Sequence, residues 1–277
     1  MIKLDSVKRY IRQIFALTEK NIFLEMRFKA HLVSRFLNPI IQLFVLIFVF
    51  GLIFNIKEGY SIGYWNSKNF VLFLLIAFSI QFSKSIINRY KVLFIREKYW
   101  KTLSATMVAP VNRFTLLFGT LVSEMLMNSI PLIIIFIIAY ILYPISLFYL
   151  FLMLLIYFFI YLIFGALGLL IGVFAISHES LVPYLQIFFR ILFLFSCINY
   201  PVQIFPELFQ FFVYLNPFYY LFDLLRLVWY LGYDYEAAIR LITPTHIIST
   251  LLLTILLPIF SIFLFNKVYK KYGITGY

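Results

Sequence analysis

LLFGTLVSEMLMNSIPLIIIFIIAYILY, residues 116–143, is followed two residues later by SLFYLFLMLLIYFFIYLIFGALGLLIGVFAI, residues 146–176. The number of times this run crosses a membrane decides the fold. A helix needs about 20 apolar residues at ~1.5 Å rise to cross a ~30 Å hydrocarbon core. The run therefore reads as two long helices with almost no loop, an antiparallel hairpin turned at Pro144. Cutting it into three short spans would make seven in all and carry the trailing Lys267, Lys270 and Lys271 to the far side of the membrane from the other cations. Charge argues for two.

Working outward, residues 36–56, 70–87, 181–200 and 246–268 are the other apolar stretches, giving six spans. Lys3, Lys8, Arg9, Arg12, Lys20, Arg27, Lys29 and Arg35 precede the first. Arg89, Lys91, Arg96, Lys98, Lys101 and Arg113 lie between the second and third, and the three lysines follow the sixth. The intervening gaps hold only Lys57, Lys68, Arg226 and Arg240. Short Lys- and Arg-rich segments stay on the cytoplasmic side, so the sequence predicts both termini inside and an even span count. The first 35 residues hold no continuous apolar core of a cleavable leader.

Composition agrees. The chain is 64% hydrophobic and 12% charged, too little polar surface to close around an aqueous core, so lipid is its solvent. Its net charge of +12 would suggest a nucleic-acid partner in a soluble protein. Here the sign follows the topology, and no nucleic-acid partner is expected. The one cysteine, Cys197, excludes a disulfide within the chain and reads as a small packing residue.

The predicted fold is an all-α membrane protein, one domain over residues 1–277. In the leading segment 1–35, Leu4, Val7, Ile11, Ile14, Phe15, Thr18 and Ile22 recur at helical spacing, with Lys8, Arg9, Arg12, Glu19 and Lys20 mostly opposite. That pattern predicts a helix lying flat on the membrane, each cation adding about 1 kcal/mol near anionic lipid. Pro39 opens the first span, and Pro131 frees a carbonyl mid-way along the third, predicting a kink or local unwinding. Gly165, Gly168 and Gly172 allow close helix approach, within the chain or at a dimer face. In the external segment 201–245, residues 205–215 and 218–231 are each too short to cross, and Asn216-Pro217 separates them. Two re-entrant half-helices between spans five and six are expected there.

The loop of residues 88–113 carries the first functional signal. Tyr99, Leu103 and Met107 share a helical face with Trp100 beside them, Glu97 pairs with Lys101 at i,i+4, and Pro110 stops the run. This predicts a short amphipathic cytoplasmic helix with an aromatic knob for docking on a soluble partner.

Two stretches carry a resemblance. Arg96-Glu97-Lys98-Tyr99-Trp100-Lys101-Thr102-Leu103, with Ala109-Pro110-Val111-Asn112-Arg113 and then Gly119, resembles the inner loop of type-two ATP-binding-cassette (ABC-2) exporter permeases. Tyr200-Pro201, Phe205-Pro206 and Asn216-Pro217-Phe218-Tyr219-Tyr220, with Asp223 and Arg226, resemble that family's pattern after its fifth span. The chain departs from the commoner loop wording at Ser104, where many members carry an acidic residue. The resemblance implies a transmembrane subunit working as a homodimer or paired half-permease and driven by a separate ATPase subunit that holds ATP and Mg. It implies ATPase coupling through Arg96, Glu97, Tyr99, Trp100, Leu103 and Met107, and an external gate around Asn216, Pro217, Tyr220, Asp223 and Arg226. The chain itself contains no Gly-x-x-x-x-Gly-Lys-Ser/Thr phosphate loop and is expected to bind no cofactor. Its aromatic-rich spans suit an amphiphilic or lipid-linked cargo, and the resemblance implies that polysaccharide or drug-like cargo belongs to the same range.

Ionisable residues inside spans come last. Glu124 and Arg190 each cost about 2.5–3.5 kcal/mol at a helix centre and should face protein or water, paired with each other or touching cargo. Lys84, near the inner end of a span ending at residue 87, is expected to snorkel. Asp223 and Arg226, three apart on one face, should neutralise each other at the outer rim. His31, His178 and His246 are scattered, and His178-Glu179 lacks a second histidine at Val182, so no zinc site is expected. Two other classes remain: a lipid-linked sugar transferase using Asp234 and Glu236, and an ion-coupled carrier using Glu124 and Arg190.

Overall fold

The computed structural model of the chain describes residues 2–56, 61–99, 113–233 and 235–272. Helices α1 (Ile2–Met26) and α2 (Lys29–Ile56) lead to a hairpin of β1 (Ser61–Ile62) and β2 (Trp65–Asn66). Then come α3 (Phe70–Ser83), α4 (Ser85–Tyr99), α5 (Arg113–Leu142), α6 (Leu147–Ser177) and α7 (Val182–Leu194). Last are α8 (Glu207–Leu215), α9 (Pro217–Tyr233), α10 (Tyr235–Leu241) and α11 (Pro244–Tyr272). Among the described residues, Leu32–Leu52, Phe70–Ile95, Leu117–Leu142, Leu147–Ala175 and Pro244–Val268 are long and apolar enough to cross a membrane. The pair α8 and α9, bent by 88°, is either a sixth, broken span or a re-entrant loop. This is a helical membrane protein.

Contacts distinguish two ends of the bundle. At one, α1 lies against α5, and Tyr99 reaches Glu179 in the turn between α6 and α7. At the other, Tyr64 of the β-hairpin reaches α9, and Trp229 of α9 donates to the Tyr143 carbonyl in the α5–α6 turn. These are called the α1 end and the hairpin end.

Two spans differ from their sequence reading. The stretch assigned to residues 70–87 continues through a junction at Lys84 to Ile95, because Arg89 is engaged by side chains of α1 and α5 and need not end the apolar segment. The stretch assigned to residues 181–200 supplies only the 13 residues of α7, about 20 Å at ~1.5 Å per residue and short of a full crossing. Its apolar composition runs on, but the backbone turns at Cys197, a non-glycine residue at φ 55°. At Pro131 the helix α5 stays continuous rather than unwinding.

The most enclosed element is α3 and the start of α4, where Leu72, Phe73, Ala77, Ile80 and Ile86 are fully buried. The glycine face of α6 packs on α4 of the same chain. A Cβ added at Gly168 would sit 3.0 Å from Ile87 Cα and 3.1 Å from the Ile86 carbonyl oxygen, so the helix backbones meet there directly. The stripe expected on α1 is divided: Thr18 is buried, donating to the Gly119 carbonyl of α5 at 3.2 Å, whereas Ile11 and Phe15 are 47% and 68% exposed.

Candidate functional site at two ends of one buried helix

At the α1 end the site is built around Arg89 on α4. Its Nη1 lies 2.7 Å from Glu25 of α1, and its Nε lies 3.2 Å from Glu124 Oε1 of α5. Its Nη2 donates to the Asn21 carbonyl at 3.4 Å. The Ser85 hydroxyl reaches Glu124 Oε2 at 3.5 Å and itself accepts from Asn128 Nδ2 at 3.0 Å. Glu124 is 1% exposed, and a guanidinium and a hydroxyl answer its carboxyl group there. A planar fork suits this task, since it bonds in several directions at once. The geometry ties three helices at one joint, and Tyr90 strengthens it by donating to the Leu117 carbonyl at 2.6 Å.

Beyond this joint α4 carries Arg96 and Glu97, whose side chains lie outside the described residues, as do Trp100, Leu103 and Met107. Tyr99 is described. Its hydroxyl donates to Glu179 Oε1 at 2.8 Å, and that bond, with the carboxylate's charge, raises the Tyr99 pKa above its ordinary value. The end of α4 is thereby held to the turn that joins α6 to α7.

At the hairpin end the centre is Asp223 on α9. Tyr64 donates its hydroxyl proton to Oδ1 at 2.9 Å, and His246 Nε2 of α11 lies 3.3 Å from Oδ2. Burial first, then the carboxylate, pushes the Tyr64 hydroxyl well above its usual range. The expected Asp223–Arg226 pair is present but long, 3.9 Å to Nη1. Arg226 is instead committed to backbone: Nη2 donates to the carbonyls of Cys197 at 2.7 Å and Ile198 at 2.6 Å, and the guanidinium lies 4.2 Å from the Phe73 ring centroid. These carbonyls belong to the turn after α7, so a side chain replaces the hydrogen bonds that the ended helix no longer supplies.

The break between α8 and α9 has a local cause. Asn216 is extended at ψ 112°, its Oδ1 accepts from Phe218 N–H at 3.1 Å as an N-cap, and Pro217 fills the first helical position. Asn216 Nδ2 also donates to the Leu192 carbonyl of α7 at 2.8 Å. Tyr220 donates to the Tyr214 carbonyl at 3.0 Å and sets its ring edge-on to His246. The residues named for a gate are thus brought together, with Tyr64 and His246 added. Neither had a sequence signal, because one lies in a short loop and the other among scattered histidines.

Glu124 and Arg190 are not brought together, since Glu124 is taken by Arg89. Arg190 stands exposed on α7. One turn along α7, Phe193 receives the Lys84 ammonium over its ring, 4.5 Å from the centroid. Lys84 also sits deeper than expected, eleven residues before the end of its span at Ile95.

The model of the family described as ABC-2 type transporter matches residues 12–230, a stretch that includes the site residues at both ends except His246. No curated protein matches the chain.

Proposed function

From the premise that this chain belongs to the ABC-2 type transporter family, as a membrane transport subunit and not an ATPase, we propose that it is the permease of an exporter. A separate ATPase subunit, holding ATP and Mg, docks on the loop after α4 through Trp100, Leu103 and Met107 together with Arg96, Glu97 and Tyr99. The α1 end then faces the cytoplasm. Two copies of the chain, or this chain and a related half, line a path for an amphiphilic cargo.

The observation that carries this reading is the single buried route from α3 into α4. It starts beside the hairpin whose Tyr64 holds Asp223, supports Arg226 on Phe73, passes Arg89, and runs into the docking loop. Displacement of the loop is thereby delivered to the joint between α1, α4 and α5, and along an enclosed helix to the gate. Closely packed helices rearrange as bistable units rather than bending smoothly, which suits alternating access.

A docking test is direct. Trp100→Ala should reduce recovery of the ATPase with the purified permease while membrane insertion stays normal, and undiminished recovery would overturn the assignment. The permease alone in liposomes should move no substrate uphill. Asp234→Ala with Glu236→Ala should leave export intact, against the transferase reading. Export should also survive collapse of ion gradients while ATP is present, against the carrier reading, and Glu124's engagement with Arg89 favours a structural role for that carboxylate.

A further inference from the structure

We propose that Lys84 and Arg190 recognise the anionic group of the cargo, so that the exported molecule is a phosphate-bearing amphiphile. This rests on the export reading and narrows it to a chemical class.

Both cations lie well inside apolar segments. Eleven residues separate Lys84 from Ile95, about 16 Å along a helix, more than a lysine side chain can span by snorkelling to that interface. Arg190 lies eight residues from the start of α7, about 12 Å, and four from its end at Leu194, about 6 Å. Charges at such depth persist where a partner or a polar path neutralises them. Elsewhere in this molecule the rule is obeyed: Arg89 has Glu25 and Glu124, and Arg226 has Asp223 and two carbonyls. Among the described residues, Lys84 and Arg190 have no carboxylate within ion-pair distance.

They are instead neighbours that repel. Arg190 is near enough to act electrostatically on Lys84, and Phe193, one turn along α7, supports the ammonium with its ring face. Arg190 is exposed and Lys84 half-buried, so an approaching group reaches both. One turn before Lys84, Gln81 of α3 donates from Nε2 to Oδ1 of Asn199, in the turn after α7, at 3.1 Å, extending a polar lane toward the hairpin end. A guanidinium beside an ammonium, with an aromatic wall and no competing carboxylate, is the chemistry that binds a phosphate. The apolar helices around it suit the attached chain.

The test measures equilibrium binding of radiolabelled hexadecyl phosphate to the purified full-length permease in phosphatidylcholine nanodiscs. Association with the ATPase is followed separately by co-purification. Lys84→Gln and Arg190→Gln should each weaken binding about tenfold or more. Arg190→Glu should abolish it while keeping or raising the melting temperature, because the new carboxylate can pair with Lys84. Hexadecanol and inorganic phosphate should not compete at concentrations where unlabelled hexadecyl phosphate does. Unchanged probe binding in the two glutamine variants overturns the proposal. So does full competition by inorganic phosphate, which would make this a site for aqueous anions. Loss of binding accompanied by unfolding in both Arg190→Gln and Arg190→Glu would show a structural arginine and also overturn it. If the glutamine variants lose binding but no ATPase ever accompanies the permease, the anion site stands and the exporter reading falls. The reverse result leaves the exporter without this site.

Discussion

Arg89 and Arg226 are both enclosed guanidiniums in the same bundle, yet their partners differ in kind. Arg89 is held by carboxylates from two other helices, Glu25 and Glu124. Arg226 has its short bonds to backbone carbonyls of the turn at Cys197 and Ile198, with Asp223 at the edge of contact. The difference teaches what each end can do. Carboxylates on separate helices can part and re-form pairs as those helices shift, whereas a carbonyl in a broken stretch of chain has no alternative donor in lipid. The α1 end is built as a joint and the hairpin end as a frame.

The largest effect should come from breaking the frame. Arg226→Ala leaves the carbonyls of Cys197 and Ile198 without their donor and takes the cation from beside Asp223, which keeps Tyr64 and His246, and the expected loss is about 3–5 kcal/mol, read as a collapse in melting temperature in detergent. Arg226→Lys should recover little, because a point charge cannot serve both carbonyls and stack on Phe73. Breaking the joint comes next: Arg89→Ala takes the guanidinium from both Glu25 and buried Glu124 and should cost about 3 kcal/mol. Here the comparison can be sharpened. Arg89→Met combined with Glu124→Leu should return most of the stability, since a buried pair is replaced by packing, but ATP-driven transport should not return with it. If transport does recover, the joint is only a support, like the frame.

Smaller effects follow. Tyr64→Phe removes one hydrogen bond to Asp223 and should lower stability by about 1 kcal/mol, measurable as a modest shift of the thermal transition. Tyr99→Phe, on the exposed rim of the α1 end, should leave the melting temperature unchanged and show any effect only in ATPase coupling. A destabilisation as large as that of Tyr64→Phe would refute the view of Tyr99 as a surface contact.

Much of the fold was legible because hydropathy over long runs reports a physical requirement, the crossing of hydrocarbon. The α5–α6 hairpin and the break at Asn216-Pro217 follow from length and from proline. What the sequence concealed was decided by partners distant in the chain. Arg89 reads as one more cation in a basic loop beside Lys91, Arg96 and Lys98, and only the docking of α1 makes it interior. The end of α7 was hidden for the opposite reason: residues 195–200 are still mostly apolar, so a span drawn by hydropathy ran on through the turn. Its replacement donors, Asn216 and Arg226, come from beyond the turn.

The brevity of α7 has a consequence for the lipid itself. At about 20 Å against a ~30 Å core, it obliges the bilayer beside it to dimple or admit water from the hairpin side. The dry dielectric barrier facing a polar headgroup is thus roughly two-thirds of its normal width, and it is narrowest along the helix that carries Arg190.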